Sequence, residues 1–425
     1  MGNPLIFYGA GDCAKFNYER FINAGLVPVC FADKDESKHH TFFETTYSFS
    51  RFAAFAFKIP IFPLKEAIKK YPDFNIYPTQ NPTLRPQIIK YLTEQGIERA
   101  RIRTFEEHGF DYRQGCTQLD TTLFFMADKL SSCCNHRAPT TRFKTDSLTE
   151  AIEAHAILRT SILNKLKVGR GISCEHCPDL RFGFYRPQDL QTAIFGGVYK
   201  NSYCNLKCVY CGYDSAYLFE KRKTHVSLLE TVKLSLDLVP TFKIIQLVSG
   251  EPTINPDFDN VMELIKEKEL SLFIMTNAVI FKENIARMQE NKAVINVSLD
   301  SGTRETYHKI KGKDYFEKVL ANITKYAQAG GIIELKYIIT EGNDNEEEIN
   351  AFLKIAKATG AKALVSANTL NVRKRLTEEH TNLMEFFITK CFQKDIPCDL
   401  VSFAFHPDDF NKIQNFKIKT ASLFA

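Results

Sequence analysis

Between residues 189 and about 385 the sequence alternates short apolar runs with amphipathic segments, six times in succession. The apolar runs have the length and β-branched content of buried strands, and the segments between them have helical spacing. Repeats of about thirty residues indicate parallel strands joined by helices, because parallel neighbours need a crossover connection. We therefore predict an α/β fold with a partial (β/α)6, TIM-like barrel. Loops at the carboxyl ends of its strands would share one face.

The predicted elements of this region follow directly from that alternation. The predicted strands are 192–198, 243–248, 271–275, 294–299, 333–338 and 363–365. The predicted helices are 228–238, 258–268, 282–290, 316–329 and 345–359. A chain of 425 residues is long enough for two or three domains of roughly 100–200 residues each. We expect a Rossmann-like domain at 1–110, a Cys-rich segment at 111–188, the barrel at 189–385 and a C-terminal extension at 386–425.

Three cysteines with the spacing C-x3-C-x2-C follow the first predicted strand of the repeat. They are Cys204, Cys208 and Cys211, and Tyr210 stands directly before the last of them. A closed zinc site or an ordinary iron–sulfur cluster takes four protein ligands, whereas three leave one metal position open. The stretch therefore predicts a metal-binding loop at the carboxyl end of a strand.

This stretch resembles the radical S-adenosylmethionine (SAM) family, in which a C-x3-C-x-aromatic-C loop holds three irons of a [4Fe-4S] cluster. The resemblance implies that the fourth iron binds the amino and carboxylate groups of SAM. It also implies that the cluster passes one electron to the sulfonium. The resulting 5′-deoxyadenosyl radical would then take a hydrogen atom from the substrate. Tyr210 would lie near the adenine.

Three later loops match the same family in order and spacing. The loop Gly250-Glu251-Pro252 would meet the amino group of SAM through its carbonyls and Glu251, although Ser249 replaces the first glycine of the family pattern. Thr276-Asn277-Ala278 stands where the family often has Thr-Asn-Gly. In the loop after the fourth strand, Ser298 or Asp300 would contact the ribose or the methionine carboxylate. Lys336 is either the cation for that carboxylate or a solvated lysine at a strand end. The residues assigned to SAM are Tyr210, Ser249, Gly250, Glu251, Pro252, Asn277, Ser298, Asp300 and Lys336.

The first 110 residues predict strands at 3–8, 27–32, 75–77 and 101–104, with helices at 13–24, 64–70 and 84–95. Gly9 and Gly11 form a G-x-G-x-x-A turn between the first strand and its helix, and Asp33 ends the second strand. The glycines would let the backbone approach a phosphate, and Asp33 could accept from ribose hydroxyls. The domain resembles the small domain at the front of sugar acetyltransferases and other surface-polysaccharide enzymes. It either binds a nucleotide or nucleotide-sugar, or its glycines only make the turn.

The segment 111–188 contains a second set of cysteines that could enclose a metal fully. The four predicted ligands are Cys116, Cys133, Cys174 and Cys177. The pattern resembles the SPASM or twitch-type module, which binds an auxiliary [4Fe-4S] cluster, although such modules usually follow the barrel. Zinc is the alternative occupant, His136 or His176 could replace one thiol, and Cys134 cannot be told apart from Cys133. The segment 119–127 predicts a hairpin strand, and 148–166 a helix.

Composition and charge bear on the binding partners, the cellular location and the use of the cysteines. A net charge of +5 without a dense Lys or Arg run gives no case for nucleic acid binding. We expect a cytoplasmic protein without a membrane segment, because neither a signal peptide nor a long apolar span is evident. Twelve cysteines without a secretory signal favour metal binding over disulfides. Cys391 and Cys398 are expected to be core residues.

The resemblance implies a radical SAM enzyme that acts on a small molecule, with a sugar or nucleotide-sugar as the first candidate. Modification of a peptide or protein is the alternative enzyme reaction. An iron–sulfur or SAM sensor without turnover is a third hypothesis, and the intact Gly250-Glu251-Pro252 loop argues against it. A one-electron reductant such as flavodoxin or ferredoxin is the expected protein partner.

Overall fold

The computed structural model describes residues 3–46, 56–126, 129–133, 140–142, 147–167, 180–186, 190–196, 199, 203–211, 226–248, 250–288, 292–367, 375–401 and 405–424. The strands are β1 (Leu5–Tyr8), β2 (Cys30–Ala32), β3 (Phe42–Thr46), β4 (Ala56–Phe62), β5 (Asn75–Pro78), β6 (Asp111–Gly115), β7 (Thr122–Met126), β8 (Lys129–Ser131), β9 (Thr140–Arg142), β10 (Arg181–Tyr185), β11 (Thr192–Gly196), β12 (Ile244–Leu247), β13 (Ser271–Thr276), β14 (Ala293–Ser298), β15 (Ile332–Ile339), β16 (Lys362–Ala367) and β17 (Cys398–Leu400). The helices are α1 (Asp12–Asn23), α2 (Leu64–Lys70), α3 (Arg85–Glu94), α4 (Thr117–Thr121), α5 (Leu148–Lys167), α6 (Leu228–Leu238), α7 (Phe258–Glu267), α8 (Glu283–Ala286), α9 (Arg304–Lys311), α10 (Phe316–Gln328), α11 (Glu346–Thr359), α12 (Glu378–Gln393) and α13 (Pro407–Leu423). Within these ranges, no helix is both long enough and apolar enough to cross a membrane.

Two compact units make up the chain. The first is built mainly from residues 1–116 together with β10, and the second mainly from residues 117–162 and 189–425. The expected boundaries differ from this division. Helix α12 runs across the boundary expected between residues 385 and 386, and the expected C-terminal extension contributes β17 to the sheet of the second unit.

The first unit has a five-stranded sheet in the order β3-β4-β2-β1-β5. Its parallel strands β1, β2, β4 and β5 therefore lie in the order 3-2-1-4, which is the order of a Rossmann half. Successive side chains point to opposite faces, so Phe7 and Phe31 enter one apolar cluster while Ile6 and Cys30 enter another. The predicted Rossmann-like fold is present, with both faces of the sheet covered.

Two details of the first unit differ from the sequence prediction. The strand expected at 101–104 is reduced to one bridge between Ile76 and Ile102, preceded by a 3-10 turn at Arg99–Arg101. Strand β3 was not predicted, and it pairs antiparallel with β4. A hairpin strand thus adds an antiparallel edge to the parallel sheet.

The second unit has a sheet in the order β17-β16-β15-β14-β13-β12-β11-β7-β8-β9. Strands β7 and β11 to β17 are all parallel, and β8 and β9 extend the sheet antiparallel. The six strands predicted from the alternation are β11 to β16, in the predicted order. The predicted hairpin strand is β7, which pairs with β8 as expected and also with β11 in parallel. The α/β fold with parallel strands is confirmed.

The two faces of this sheet differ in character. One face packs on the helices and contributes Ile245, Ile274, Ile295 and Leu335 to the main apolar core. We call the opposite face the inner face. Polar side chains alternate with these core residues, because strand side chains have a period of two. The polar residues of the inner face include Gln246, Asn296, Ser298, Glu334 and Lys336.

Glu348 connects the start of α11 to the loop after β14. Its buried carboxylate accepts from the Gly302 N–H at 2.7 Å, the Thr303 hydroxyl at 2.5 Å and the Thr306 hydroxyl at 2.9 Å. Hydrogen bonds to charged groups contribute about 1.5–3 kcal/mol each. Glu348→Ala should therefore lower the free energy of unfolding by at least about 2 kcal/mol, measured by urea denaturation.

The matched control is Glu347→Ala, because Glu347 is exposed one position earlier in the same helix. It should change the free energy of unfolding by no more than about 0.5 kcal/mol. Equal urea midpoints for the two variants would contradict the role given to Glu348.

Candidate cofactor and active site

The loop with the three predicted cysteine ligands follows β11 and is held against the end of α9. Lys207 N–H donates to the Lys311 carbonyl at 3.1 Å, and Val209 N–H donates to the Ile310 carbonyl at 3.0 Å. These carbonyls lie in the last turn of the helix, where no N–H inside the helix can reach them. The helix ends at Gly312 with φ +71°, and a Cβ there would lie 2.9 Å from the Lys207 carbonyl oxygen. Both the backbone angle and the close approach require glycine.

The three thiols differ in solvent exposure. Cys204 and Cys208 are half-buried against the main core, and Cys211 is exposed. Burial raises the pKa of Cys204 to about 11 and also raises the pKa of Cys208. Thiolates at these positions therefore depend on a bound cation. Within the described ranges, no three His, Cys, Asp or Glu side chains are placed to hold a single metal ion. In a [4Fe-4S] cluster each thiolate binds a different iron.

Glu251 joins the loop after β12 to the loop after β13. Its carboxylate accepts from the Thr253 N–H at 3.2 Å, the Thr253 hydroxyl at 2.6 Å, the Thr276 hydroxyl at 2.7 Å and the Asn277 N–H at 2.6 Å. Three of these donors go to Oε1 and only the Asn277 N–H goes to Oε2, so the carboxylate joins the two loops and keeps acceptor capacity on Oε2. That Glu251 also accepts from the SAM ammonium stays a prediction.

The loops after β12 and β13 both contact the cysteine loop. Glu251 N–H donates to the Tyr203 carbonyl at 2.8 Å, and Gly250, with φ +58°, lies so close that a Cβ would approach that oxygen to 2.9 Å. The Asn277 amide donates to Asn205 Oδ1 at 2.6 Å and lies 3.9 Å from the Cys204 sulfur. Pro252 is buried at the start of a 3-10 turn, and Ser249 lies outside the described residues.

Asp300 lies at the end of β14 and joins three other segments. Its Oδ2 accepts from the Tyr210 hydroxyl and from Lys311 Nζ at 2.5 Å, and its Oδ1 accepts from the Ile338 N–H at 2.8 Å. Lys311 Nζ also donates to the Tyr210 hydroxyl at 2.7 Å. The Asp300 and Lys311 side chains are 0% and 1% exposed, so the ion pair is fully buried. Burial and the Asp300 charge raise the pKa of Tyr210, which keeps its hydroxyl a donor.

Lys311 is the functional residue that sequence reasoning missed. It stands at the end of a predicted polar segment, followed by Gly312, where lysines are usually exposed. Only the position of its helix relative to Asp300 shows that it is buried. Its neighbour Lys309, on the same helix, is exposed.

Ser298 and Lys336 are cross-strand neighbours in the register of β14 and β15. Both are half-buried on the inner face, and neither side chain has a hydrogen-bond partner among the described residues. Burial lowers the pKa of Lys336, while the charges of Asp300 and the Cys208 and Cys211 thiols act in the opposite direction. The Lys336 amine is therefore close enough to the cysteine loop for the charges of the Cys208 and Cys211 thiols to affect its pKa. Ser298 and Lys336 present a hydroxyl and an ammonium side by side at the carboxyl end of the sheet.

In the first unit, the structure brings the glycine turn and Asp33 together. Asp33 accepts from the Ala10 N–H at 2.7 Å and from Lys38 Nζ at 3.3 Å, and it is buried. Gly9 has φ +100°, and a Cβ there would overlap the amide of Gln80. Gly11 has open space around it. The Asp33 carboxylate, predicted to accept from ribose hydroxyls, thus already has donors from the chain.

The structure describes only part of the second cysteine set. Cys116 and Cys133 are both half-buried. The residues outside the described ranges are Cys134, His136, Cys174, His176 and Cys177. The auxiliary metal site stays a prediction. Near the C-terminus, Cys391 is fully buried and Cys398 half-buried, in hydrogen-bond contact with each other.

Comparison with known families gives a match to the Radical SAM superfamily over residues 198–356. This range contains the cysteine loop, Glu251, Asp300, Lys311 and Lys336. Residues 198–356 of this chain are therefore a radical SAM domain, of the kind found in radical SAM enzymes. Its cofactors are accordingly a [4Fe-4S] cluster and SAM, as the sequence predicted.

The relatives of this radical SAM chain include several GTP 3′,8-cyclases. A probable GTP 3′,8-cyclase of Saccharolobus islandicus is 26% identical over 190 residues, covering 43% of this chain and 59% of that protein. The GTP 3′,8-cyclase of Aliarcobacter butzleri is 26% identical over 163 residues, covering 37% and 50%. That of Photorhabdus laumondii subsp. laumondii is 33% identical over 160 residues, covering 35% and 47%. The chain therefore matches about half the length of these curated relatives.

Solved structures with a similar fold include Streptococcus suis SuiB bound to precursor peptide SuiA. It has a TM-score of 0.40 and 14% identity, covering 68% of this chain and 72% of that chain. Methylornithine synthase (PylB) has a TM-score of 0.38 and 15% identity, covering 54% and 70%.

The residues of this radical SAM site fit a cluster with one open iron. Three thiols lie on one loop, and backbone hydrogen bonds fix that loop to α9. Two thiols face the apolar core and one faces outward. Cys204, Cys208 and Cys211 would hold the cluster, and among the described residues the half-buried Lys336 is a nearby cation whose side chain has no hydrogen-bond partner.

The buried ion pair predicts a large effect of Lys311→Met on stability. The substitution leaves the Asp300 carboxylate buried without its cation, and breaking such a pair costs about 3–5 kcal/mol. We expect a loss of that size in the free energy of unfolding of the cluster-free protein, measured by urea denaturation.

Lys309→Met is the control, since Lys309 is exposed on the same helix. It should change the free energy of unfolding by no more than about 0.5 kcal/mol. The double variant Asp300→Asn with Lys311→Met should recover part of the loss, because no buried charge is then left unpaired. A Lys311→Met protein as stable as wild type would refute the assignment.

Proposed function

We propose that this chain reductively cleaves SAM at a [4Fe-4S] cluster and abstracts hydrogen from a small-molecule substrate. The observation that carries the proposal is the loop with Cys204, Cys208 and Cys211, anchored to α9 and contacted by the loops after β12 and β13. Cys204, Cys208 and Cys211 would hold the cluster, which would supply the one electron needed to break the S–C5′ bond of SAM, with methionine as the leaving group and the 5′-deoxyadenosyl group as the hydrogen acceptor. The chain holds the cluster, orients SAM and keeps the substrate beside it.

Each chain segment around the loop has a separate task in this proposal. Lys336 and Ser298 bind the methionine carboxylate and the ribose, because both have free donors on the inner face. The carbonyls of the Gly250-Glu251-Pro252 loop and Oε2 of Glu251, which accepts one hydrogen bond from the chain, meet the SAM ammonium. Asp300 and Lys311 fix the hydroxyl of Tyr210 and leave its backbone for the adenine.

We propose a nucleotide or nucleotide-sugar as the substrate class. Two observations support this. The relatives that match the radical SAM region carry the name GTP 3′,8-cyclase. The first unit has the 3-2-1-4 strand order of a Rossmann half, in which ligands bind where the strand order reverses. Here that point lies between β1 and β5, next to Gly9 and Gln80. A cytoplasmic one-electron reductant would serve the cluster.

We also propose an auxiliary [4Fe-4S] cluster held by Cys116, Cys133, Cys174 and Cys177. Support comes from the four-thiol pattern, in which a complete set of four ligands can enclose a metal. Zinc in the same thiols is the competing occupant. Iron counting separates the two.

The test is anaerobic reconstitution with iron and sulfide, followed by iron counting and a 5′-deoxyadenosine assay with reductant and SAM. We expect about eight irons per chain for two clusters, and about four if the auxiliary site holds zinc. Addition of GTP or a uridine diphosphate sugar should raise 5′-deoxyadenosine formation above the substrate-free rate. A precursor-type peptide serves as the comparison substrate.

Cys208→Ala should lose about four irons and all SAM cleavage, because two thiolates do not hold the cluster. Cys13→Ala is the matched control, since Cys13 is a half-buried free thiol in the first unit. Retained SAM cleavage in Cys208→Ala would contradict the assignment of the cluster to Cys204, Cys208 and Cys211. Stimulation by the peptide alone would replace the nucleotide proposal with peptide modification.

A further inference from the structure

Asn296 and Glu334 form a buried polar pair on the inner face of the second sheet. They are register partners on β14 and β15, and Asn296 Nδ2 donates to Glu334 Oε2 at 2.9 Å. Each residue is only 2% exposed. Parallel sheets usually have apolar residues at such positions, so this pair needs a physical explanation.

The pair lies directly below the residues proposed to bind SAM. Ser298 and Lys336 are the next register partners on the same two strands and the same face. Two residues along a strand span about 7 Å, so the pair lies that far from the Ser298–Lys336 row, toward the strand interior. The intervening residues Val297 and Leu335 pack in the main core on the other face. A ligand seated below SAM would therefore meet Asn296 and Glu334.

The side-chain amide oxygen of Asn296, Oδ1, is buried and has no hydrogen-bond partner among the described residues. Leaving a buried acceptor unsatisfied costs about 1–3 kcal/mol, and native proteins contain few such atoms. The neighbouring residues along β14 are Ile295 and Val297, which offer no donor. A donor from outside the described chain would remove this cost.

We propose that Asn296 and Glu334 are a substrate subsite that accepts hydrogen bonds from adjacent N–H groups. The pair combines an amide oxygen with a carboxylate, so it offers acceptors to a group with two or more neighbouring donors. This inference rests on the proposed function, since it places the substrate beside SAM. For a nucleotide substrate, the matching group is the edge of guanine that carries N1–H and the 2-amino group.

The charges of the two rows and the donors of the purine bases agree with guanine as the bound group. Glu334 brings a formal negative charge to the row and Lys336 brings a positive charge one row above it. A base edge with N–H donors would face the lower row, and an anionic group would face Lys336. Adenine offers only its 6-amino group as a donor, and hypoxanthine offers only N1–H. The subsite should therefore rank guanine first among the three.

The experiment measures equilibrium binding of GTP, inosine triphosphate and ATP to the reconstituted protein with SAM present. Wild type should bind GTP at least tenfold more tightly than either of the other nucleotides. Glu334→Gln preserves the shape of the side chain but replaces one acceptor with a donor. Asn296→Ala removes the unpartnered oxygen. Each variant should lose at least tenfold in GTP affinity and most of the preference over inosine triphosphate.

Glu341→Gln is the matched control, because Glu341 is an exposed carboxylate shortly after the end of β15. It should bind GTP as wild type does. Circular dichroism and urea denaturation check that the variants are folded, and Glu334→Gln is the variant with the smaller change in packing. Unaltered GTP affinity and preference in either folded variant would overturn this inference and leave the proposed function standing. No nucleotide binding by wild type would overturn the nucleotide proposal and this inference together.

Discussion

The buried ion pair between Asp300 and Lys311 is the interaction on which the cofactor site depends. Two charges removed from water are stable together only if their remaining donors and acceptors are also satisfied. Here the Ile338 N–H and the Tyr210 hydroxyl donate the remaining hydrogen bonds to the Asp300 carboxylate. The Asn343 side-chain amide donates to the Asp300 backbone carbonyl at 2.8 Å. The pair thereby joins the loop after β14, the end of β15, the end of α9 and the cysteine loop. None of these segments can shift without exposing a buried charge.

Much of the second unit could be predicted from its alternating pattern, because each strand is buried and each helix has one apolar face. The helix at 228–238 was predicted at its observed bounds, and the strands 244–247 and 271–276 were predicted within two residues. The strands β7 and β17 were not expected to be parallel members of the sheet. Strand β17 is three residues long, and a run that short has no readable period. The parallel partner of β7 follows it only after a long segment of chain, so local sequence does not reveal the pairing.

The sequence predicted which loops come together at the site, but it did not predict the contacts between their side chains. Parallel strands bring their carboxyl ends to one edge, so residues after β12, β13 and β14 had to come together. Burial, however, depends on which helix covers which loop. The sequence therefore did not show that Lys311 is buried, or that the Glu251 carboxylate is occupied by Thr253, Thr276 and Asn277. A glutamate in a cofactor motif can bind the cofactor, support the loops that do, or do both, and the sequence alone does not show its contacts with those loops.

The polar alternation along β14 and β15 has a consequence for how the second unit works. A parallel strand covered on both faces is apolar throughout, yet these two strands place Asn296, Ser298, Glu334 and Lys336 on one face. The other face fills the main core with Ile295, Val297 and Leu335. On these two strands the inner face therefore has polar side chains between buried apolar ones, Val294 and Ile338. Because an unsatisfied polar group is costly inside a protein, the buried Oδ1 of Asn296 would be stabilised by a donor from outside the sheet. The same residues that weaken the sheet as a core are thus the ones equipped to hold a polar ligand beside the cysteine loop.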